Sequence, residues 1–171
     1  IGSQFGLKYY LESAYPDKKI YCLGSNCPVS QRNNVTMDEV DDDVVASSLA
    51  IVLDTSNAAR IDDERYKFAK KSIRIDHHVQ VETICDEEWI DDKASATCEL
   101  LALYLQENKV NIPVESALML YLGLTADNIR FTTNNVRPAT FDAAKYLFEQ
   151  GVDVTKVEQL NFSKSIEDYR Y

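Results

Sequence analysis

The chain is poor in the residues that mark disordered, secreted or membrane-bound proteins. Five glycines and four prolines in 171 residues argue against long unstructured linkers. Basic residues are in the minority, 18 against 28 acids, for a formal net charge of −10. A general binder of duplex nucleic acid needs a basic face to displace counterions, so that class is excluded. A small phosphorylated substrate is not, because clustered carboxylates can hold divalent cations that invert the local sign. No apolar run approaches the roughly 20 residues of a membrane span. The longest, Ala117 to Leu124, is interrupted by Tyr121 and Gly123 and reads as a buried helix. No membrane partner is expected.

The four cysteines are irregularly spaced. Cys22 and Cys27, the closest pair, are too far apart for a zinc knuckle and have no histidine nearby; Cys85 and Cys98 stand alone. Reduced thiols packed as small hydrophobes are expected, which suits a reducing, cytoplasmic setting. What is present is ordinary for a globular chain: 45% hydrophobic and 27% charged residues, enough to bury a core in one domain.

Phe5, Leu7, Tyr10, Leu11 and Ala14 recur at helical spacing, with Ser3 placed to cap the helix and Tyr15-Pro16-Asp17 to end it. Lys19 to Leu23 reads as a short strand, and Asn26 to Asp43 as irregular. Five acids between Asp38 and Asp43 suggest a solvated loop. Leu49 to Leu53 is an unbroken apolar run of the kind found in fully buried parallel strands. Tyr66 to Lys71 is a short helix or turn; Ser72 to Ile75 and Glu88 to Ile90 are brief strands. Ser95 or Thr97 can cap a helix to about Asn108 with Leu100, Leu101, Tyr104 and Leu105 on its inner face. Pro113 and Pro138 open two further helices, the second closed by Gly151, and Asp153 caps a last one. Strands alternating with helices predict an α/β fold: a mostly parallel sheet flanked by helices, with a helical C-terminal part.

In an open parallel sheet, ligands bind beyond the carboxyl ends of the strands. Two predicted strands end in acids, one in Asp54 and the other in Asp76 followed by His77 and His78. Asp54 alone reads equally well as a turn residue. The histidines, the only two in the chain, can bind a divalent metal or form a surface pair. Asp127 follows an apolar helix, where the helix dipole disfavours an acid unless a cation is near. Carboxylates with imidazole suit manganese, with magnesium as the alternative. Two such ions would activate water and neutralise charge on a phosphoryl group.

Four segments in order resemble the motifs of the DHH phosphoesterase family. They are Val52 to Asp62 (VLDTSNAARID), Ile73 to His78 (IRIDHH), Ala94 to Leu101 (ASATCELL) and Gly123 to Phe131 (GLTADNIRF). The likeness covers nearly the whole chain, and Gly2 to Tyr21 with Asp54 to Tyr66 looks most like the bacterial nanoRNase and pAp-phosphatase subgroup. One departure stands out: Asn128-Ile129 replaces the usual Thr-Gly.

The resemblance implies that Asp54 bridges two manganese ions and that His77 and Asp127 bind the second. His78 would face the scissile phosphate and Asp76 would support the histidines. Arg60 and Arg130 would contact phosphate. It also implies that Ile1 to Leu7 follow directly on the family's first motif, His-x-x-Pro-Asp-x-Asp, so that residues 1–162 form a DHH domain lacking that motif. Residues 163–171 would then begin a linker to a C-terminal substrate-binding domain. On this reading the chain alone is expected to be inactive. The intact protein, compatible with a homodimer, would hydrolyse short single-stranded oligoribonucleotides or 3′-phosphoadenosine 5′-phosphate. A cyclic-dinucleotide phosphodiesterase and a non-catalytic nucleotide-binding remnant are the alternatives.

Overall fold

One apolar run and two mixed segments become the sheet. In a computed structural model, which describes residues 1–162, β1 (Leu49–Leu53) pairs in parallel with β2 (Lys71–Asp76), and β2 pairs in parallel with β3 (Glu87–Ile90). The order is β1-β2-β3, with Leu53 opposite Ile75 and Asp76 opposite Ile90. Successive side chains point to opposite faces of a strand. Ile51, Leu53, Ile73 and Ile75 therefore join the helical core, while Ala50 and Val52 pack with Tyr66 and Cys85 on the other side.

The helices are α1 (Gly2–Ala14), the short α2 (Pro28–Arg32) and α3 (Asp42–Ala46), then α4 (Thr97–Glu107), α5 (Val114–Asp127), α6 (Pro138–Glu149) and α7 (Val154–Phe162). Leu101, Leu105, Leu120, Leu124 and Leu147 from α4, α5 and α6 are fully or nearly fully buried together. The predicted α/β class holds, and the sheet is wholly parallel among the described residues. The expected linker at 163–171 lies outside those residues.

Several local expectations are corrected. Lys19 to Leu23 is not a strand. Cys22 takes Asp38 on both sides, its N–H donating to the carboxylate (2.8 Å) and its carbonyl accepting the Asp38 N–H (2.7 Å), a single anchor in place of a ladder. Asp38 also pairs with Lys8 at 2.6 Å, so this acid is structural and not merely solvated. The segment expected to be irregular contains α2 and the first two residues of α3. β1 is not fully buried: Leu49 is 51% exposed, because β1 lies at one edge of the described sheet. Ser3 lies inside α1, where Ile1 is the cap residue. Neither Ser95 nor Thr97 caps α4, since both hydroxyls are engaged elsewhere. Tyr104 faces outward and meets Trp89 edge to face.

The approach of α1 to α5 depends on two glycines. A Cβ on Gly2 would lie 2.7 Å from the Gly123 Cα, and one on Gly123 would lie 2.4 Å from the Cys98 sulfur. Gly123 sits one turn before Asp127, so this contact sets how closely the end of α5 approaches the sheet. Gly123→Ala is expected to destabilise the protein by about 1–3 kcal/mol through overpacking. Combining it with Cys98→Ala should recover part of that loss; denaturant melts of the two single variants and the double variant test the coupling.

Candidate metal centre

The carboxyl ends of β1 and β2 lie side by side, held by the register and by Asp54 N–H donating to the Ile75 carbonyl at 3.1 Å. The chain then turns sharply at Asp54, which adopts a left-handed conformation (φ 62°), one that aspartate tolerates better than most residues. Its carboxylate lies 3.4 Å from His77 Nε2, and the Asp127 carboxylate, from the last residue of α5, lies 4.0 Å from the same nitrogen. Asp54, His77 and His78 can each present one ligand atom within 4.8 Å of the others.

The two rings are oriented differently. His77 Nδ1 lies 3.3 Å from the Ala94 carbonyl. A carbonyl only accepts, so Nδ1 carries a proton and Nε2 is the nitrogen that faces the carboxylates. His78 Nδ1 lies 2.7 Å from Asp76 Oδ1, which also accepts the His77 N–H at 2.9 Å. Asp76 is fully buried and its second oxygen has no partner, an orphaned buried acceptor of the kind that native proteins keep at functional sites.

The charges fit a cation. Burial opposes ionisation of Asp54, but His77 and then Thr97, whose hydroxyl donates at 3.1 Å, hold its carboxyl below the usual range. Burial likewise opposes the His77 cation, yet Asp54 and Asp127 keep its pKa above the ordinary imidazole value. Asp127 is the group left under strain: burial, and then the Asp54 charge, push it up to about 6. An ion between the two carboxylates would relieve that repulsion.

A buried ion pair keeps the loops in place. Arg74, fully buried on β2, pairs with Glu88 of β3 and reaches the carbonyls of Ser56 (3.3 Å) and Glu82 (3.4 Å), which ties together the loops after β1 and β2. Of the residues proposed from sequence, the fold gathers Asp54, His77, His78 and Asp127, with Asp76 beneath them. Arg60 is exposed on the single 3-10 turn Ala58–Arg60, and Arg130 donates to Glu158 of α7 at 2.8 Å. Thr97 and Arg74 escaped the sequence reading as site residues; the hydroxyl-rich run before α4 was the visible hint of Thr97, and Arg74 inside an apolar strand was a visible anomaly. The cysteines take no part. Burial pushes the Cys22 thiol up to about 12, and that of Cys98 well above its usual value.

Acids and imidazoles converging at the carboxyl edge of a parallel sheet form a candidate divalent-cation site in an α/β fold. The chain belongs to the DHH family: the description "DHH family, N-terminal domain" matches residues 1–124. An uncharacterized protein of Mycoplasma genitalium is 35% identical over 173 residues, covering 99% of this chain and 53% of that protein. The bifunctional oligoribonuclease and PAP phosphatase NrnA of Bacillus subtilis is 36% identical over 151 residues, covering 86% and 48% respectively. An exopolyphosphatase-related protein from Bacteroides fragilis shares the fold at a TM-score of 0.82 and 22% identity, covering 97% of this chain and 53% of that one. The chain thus spans about half the length of the curated relatives just described.

Asp127 gives a pH-dependent test. Its folded pKa is raised, so its contribution to stability is present in full below the ordinary carboxyl range and is lost as pH rises through about 6. In the metal-free protein, Asp127→Asn should therefore raise Tm at pH 7.5 relative to wild type, with the gain shrinking as pH falls towards 5. The same variant should lose most of the Tm rise that manganese gives the wild type.

Proposed function

We propose that the protein to which this chain belongs is a metal-dependent phosphoesterase that hydrolyses small nucleotides, with short oligoribonucleotides and 3′-phosphoadenosine 5′-phosphate as substrates. The observation that carries this reading is the convergence of Asp54, His77, His78 and Asp127 at the strand ends, in a chain that covers about half of a named oligoribonuclease and PAP phosphatase. Manganese is the proposed ion, with magnesium accepted, because the donors are mixed oxygen and imidazole nitrogen.

Asp54, whose carboxylate lies within reach of both histidines, would be shared between two ions, and His77 and Asp127 would hold one of them. The family's first motif, absent from these 171 residues, would supply the remaining ligands. When bound, the ions would make a bound water acidic enough to attack a phosphoryl group and would offset charge on its oxygens. His78 is the ring whose Nε2 is left to face substrate, because Nδ1 is committed to Asp76. A residue so oriented can stabilise or protonate the leaving oxygen. Residues 1–162 are taken as the core of the catalytic domain, with substrate choice assigned to a following domain and the protein placed in the cytoplasm.

A cyclic-dinucleotide phosphodiesterase would use the same ligands, so substrates must separate the two readings. The full-length protein with manganese should release phosphate from 3′-phosphoadenosine 5′-phosphate and mononucleotides from a dinucleotide RNA, and should turn over cyclic di-AMP at least tenfold more slowly. Asp54→Ala should lower turnover by 1,000-fold or more. Retained activity in that variant removes the bridging role, and a preference for cyclic di-AMP reverses the substrate assignment.

A further inference from the structure

Behind the three cation ligands lies one fully buried carboxylate, Glu99, in the first turn of α4. It accepts from the Ser95 N–H (3.0 Å), the Ser95 hydroxyl (2.7 Å), the Thr140 hydroxyl (2.8 Å) and Arg137 Nε (2.7 Å). Arg137 in turn donates to Asp91 at the end of β3, at 2.7 Å. A helix start can be satisfied by an exposed serine or aspartate, without the cost of burying a charge. The position of Glu99 therefore requires another account.

That account is where its partners lead. Ser95 lies between Ala94, whose carbonyl fixes the His77 tautomer, and the Thr97 hydroxyl on Asp54, one residue beyond Ala96. The Ser95 oxygen also accepts from Asn128 Nδ2 at 3.4 Å, and Asn128 directly follows Asp127. One short segment, 94–97, thus touches the supports of all three ligands, and Glu99 holds that segment. We infer that Glu99 is a positioning residue for the metal centre, setting His77, Asp54 and Asp127 together through residues 94–97 and Asn128. Arg137 neutralises it and braces it against the sheet. The inference rests on the reading of these three residues as cation ligands.

The test uses the full-length protein and two readouts: manganese affinity by calorimetry, and the imidazole ¹⁵N shifts of His77 without metal. Glu99→Gln keeps the size of the side chain but cannot accept all four donors. It should weaken manganese binding roughly 10- to 100-fold, the range seen when support behind a ligand is lost, and move the His77 Nδ1 shift, which reports the bond to the Ala94 carbonyl. Thr140→Val removes a bond to the same carboxylate from the α6 side; it should lower Tm but change affinity less than threefold. Unchanged affinity in Glu99→Gln overturns the inference, as does an equal loss in Thr140→Val at equal Tm. If Glu99→Gln does not fold, Ser95→Ala, which keeps the Glu99–Arg137 pair, decides by the same two readouts. A wild type that binds no manganese, or binds it equally well as Asp54→Ala, instead sinks the metal reading itself.

Discussion

Two carboxylates converge on one imidazole nitrogen. Asp54 is 3.4 Å and Asp127 4.0 Å from His77 Nε2, and burial, then the Asp54 charge, raise the Asp127 carboxyl to about 6. Such an arrangement costs stability, and a cation between the two carboxylates would relieve it, so the fold accepts a local penalty at the candidate site. Much of the rest of the fold can be understood as what makes that penalty sustainable. β1 and β2 bring Asp54 and His77 together from distant parts of the chain. The Gly2–Gly123 approach lets α1 pack closely on α5, the helix that ends in Asp127.

The supports are themselves ionic and buried. Arg74 with Glu88 joins the loops after β1 and β2, and Glu99 with Arg137 secures the approach to α4 from the helical layer. Buried pairs are poor sources of net stability, because desolvation roughly offsets their attraction, but breaking one is costly. They therefore act less as glue than as constraints on geometry. In each case the charged group reaches backbone or hydroxyl groups beside the ligand residues: Arg74 at the Ser56 carbonyl, Glu99 at Ser95. Apolar side chains could fill the same space, but they could not hold individual carbonyls and hydroxyls at fixed angles.

The legible parts of the sequence were those governed by periodicity and by strand ends. The runs at 49–53 and 72–75 marked an edge strand and the central strand, and acids directly after them marked the candidate site. Asp76-His77-His78 were readable because no other histidines compete for attention. What escaped was decided by partners far away in sequence. Lys19 to Leu23 has the composition of a strand, but pairing requires a neighbour, and its neighbour is the single residue Asp38. Thr97 looks like a cap because threonine before a helix commonly is one; that its hydroxyl reaches Asp54, 43 positions earlier, is a tertiary fact. Tyr104 fits the apolar stripe of α4 but turns to Trp89, since a half-exposed aromatic edge satisfies it as well as the core does. Arg74 stood out as a charge between Ile73 and Ile75, but nothing in a five-residue window says which partners a buried charge will find.

The segment after Asp127 shows how a departure from a family pattern can be absorbed. Where glycine is usual, this chain has Ile129, and Ile129, Arg130 and Phe131 are all left-handed (φ 46°, 56° and 64°). Each such residue costs roughly 1–2 kcal/mol, and β-branched isoleucine is among the least suited to it. The cost is met locally. Arg130 N–H donates to the Thr125 carbonyl (3.0 Å), and Thr132 N–H to the Asn128 carbonyl (2.9 Å). The Asn128 side chain accepts the Phe131 N–H (2.8 Å) while donating to Ser95. Asn128 therefore does two things that the usual threonine, with one hydroxyl, could do only in part: it closes the turn and ties it to the segment that Glu99 holds. The Asn128 amide that closes this strained turn is thus also what ties the residue after Asp127 to Ser95, in the segment that contacts Asp54 and His77.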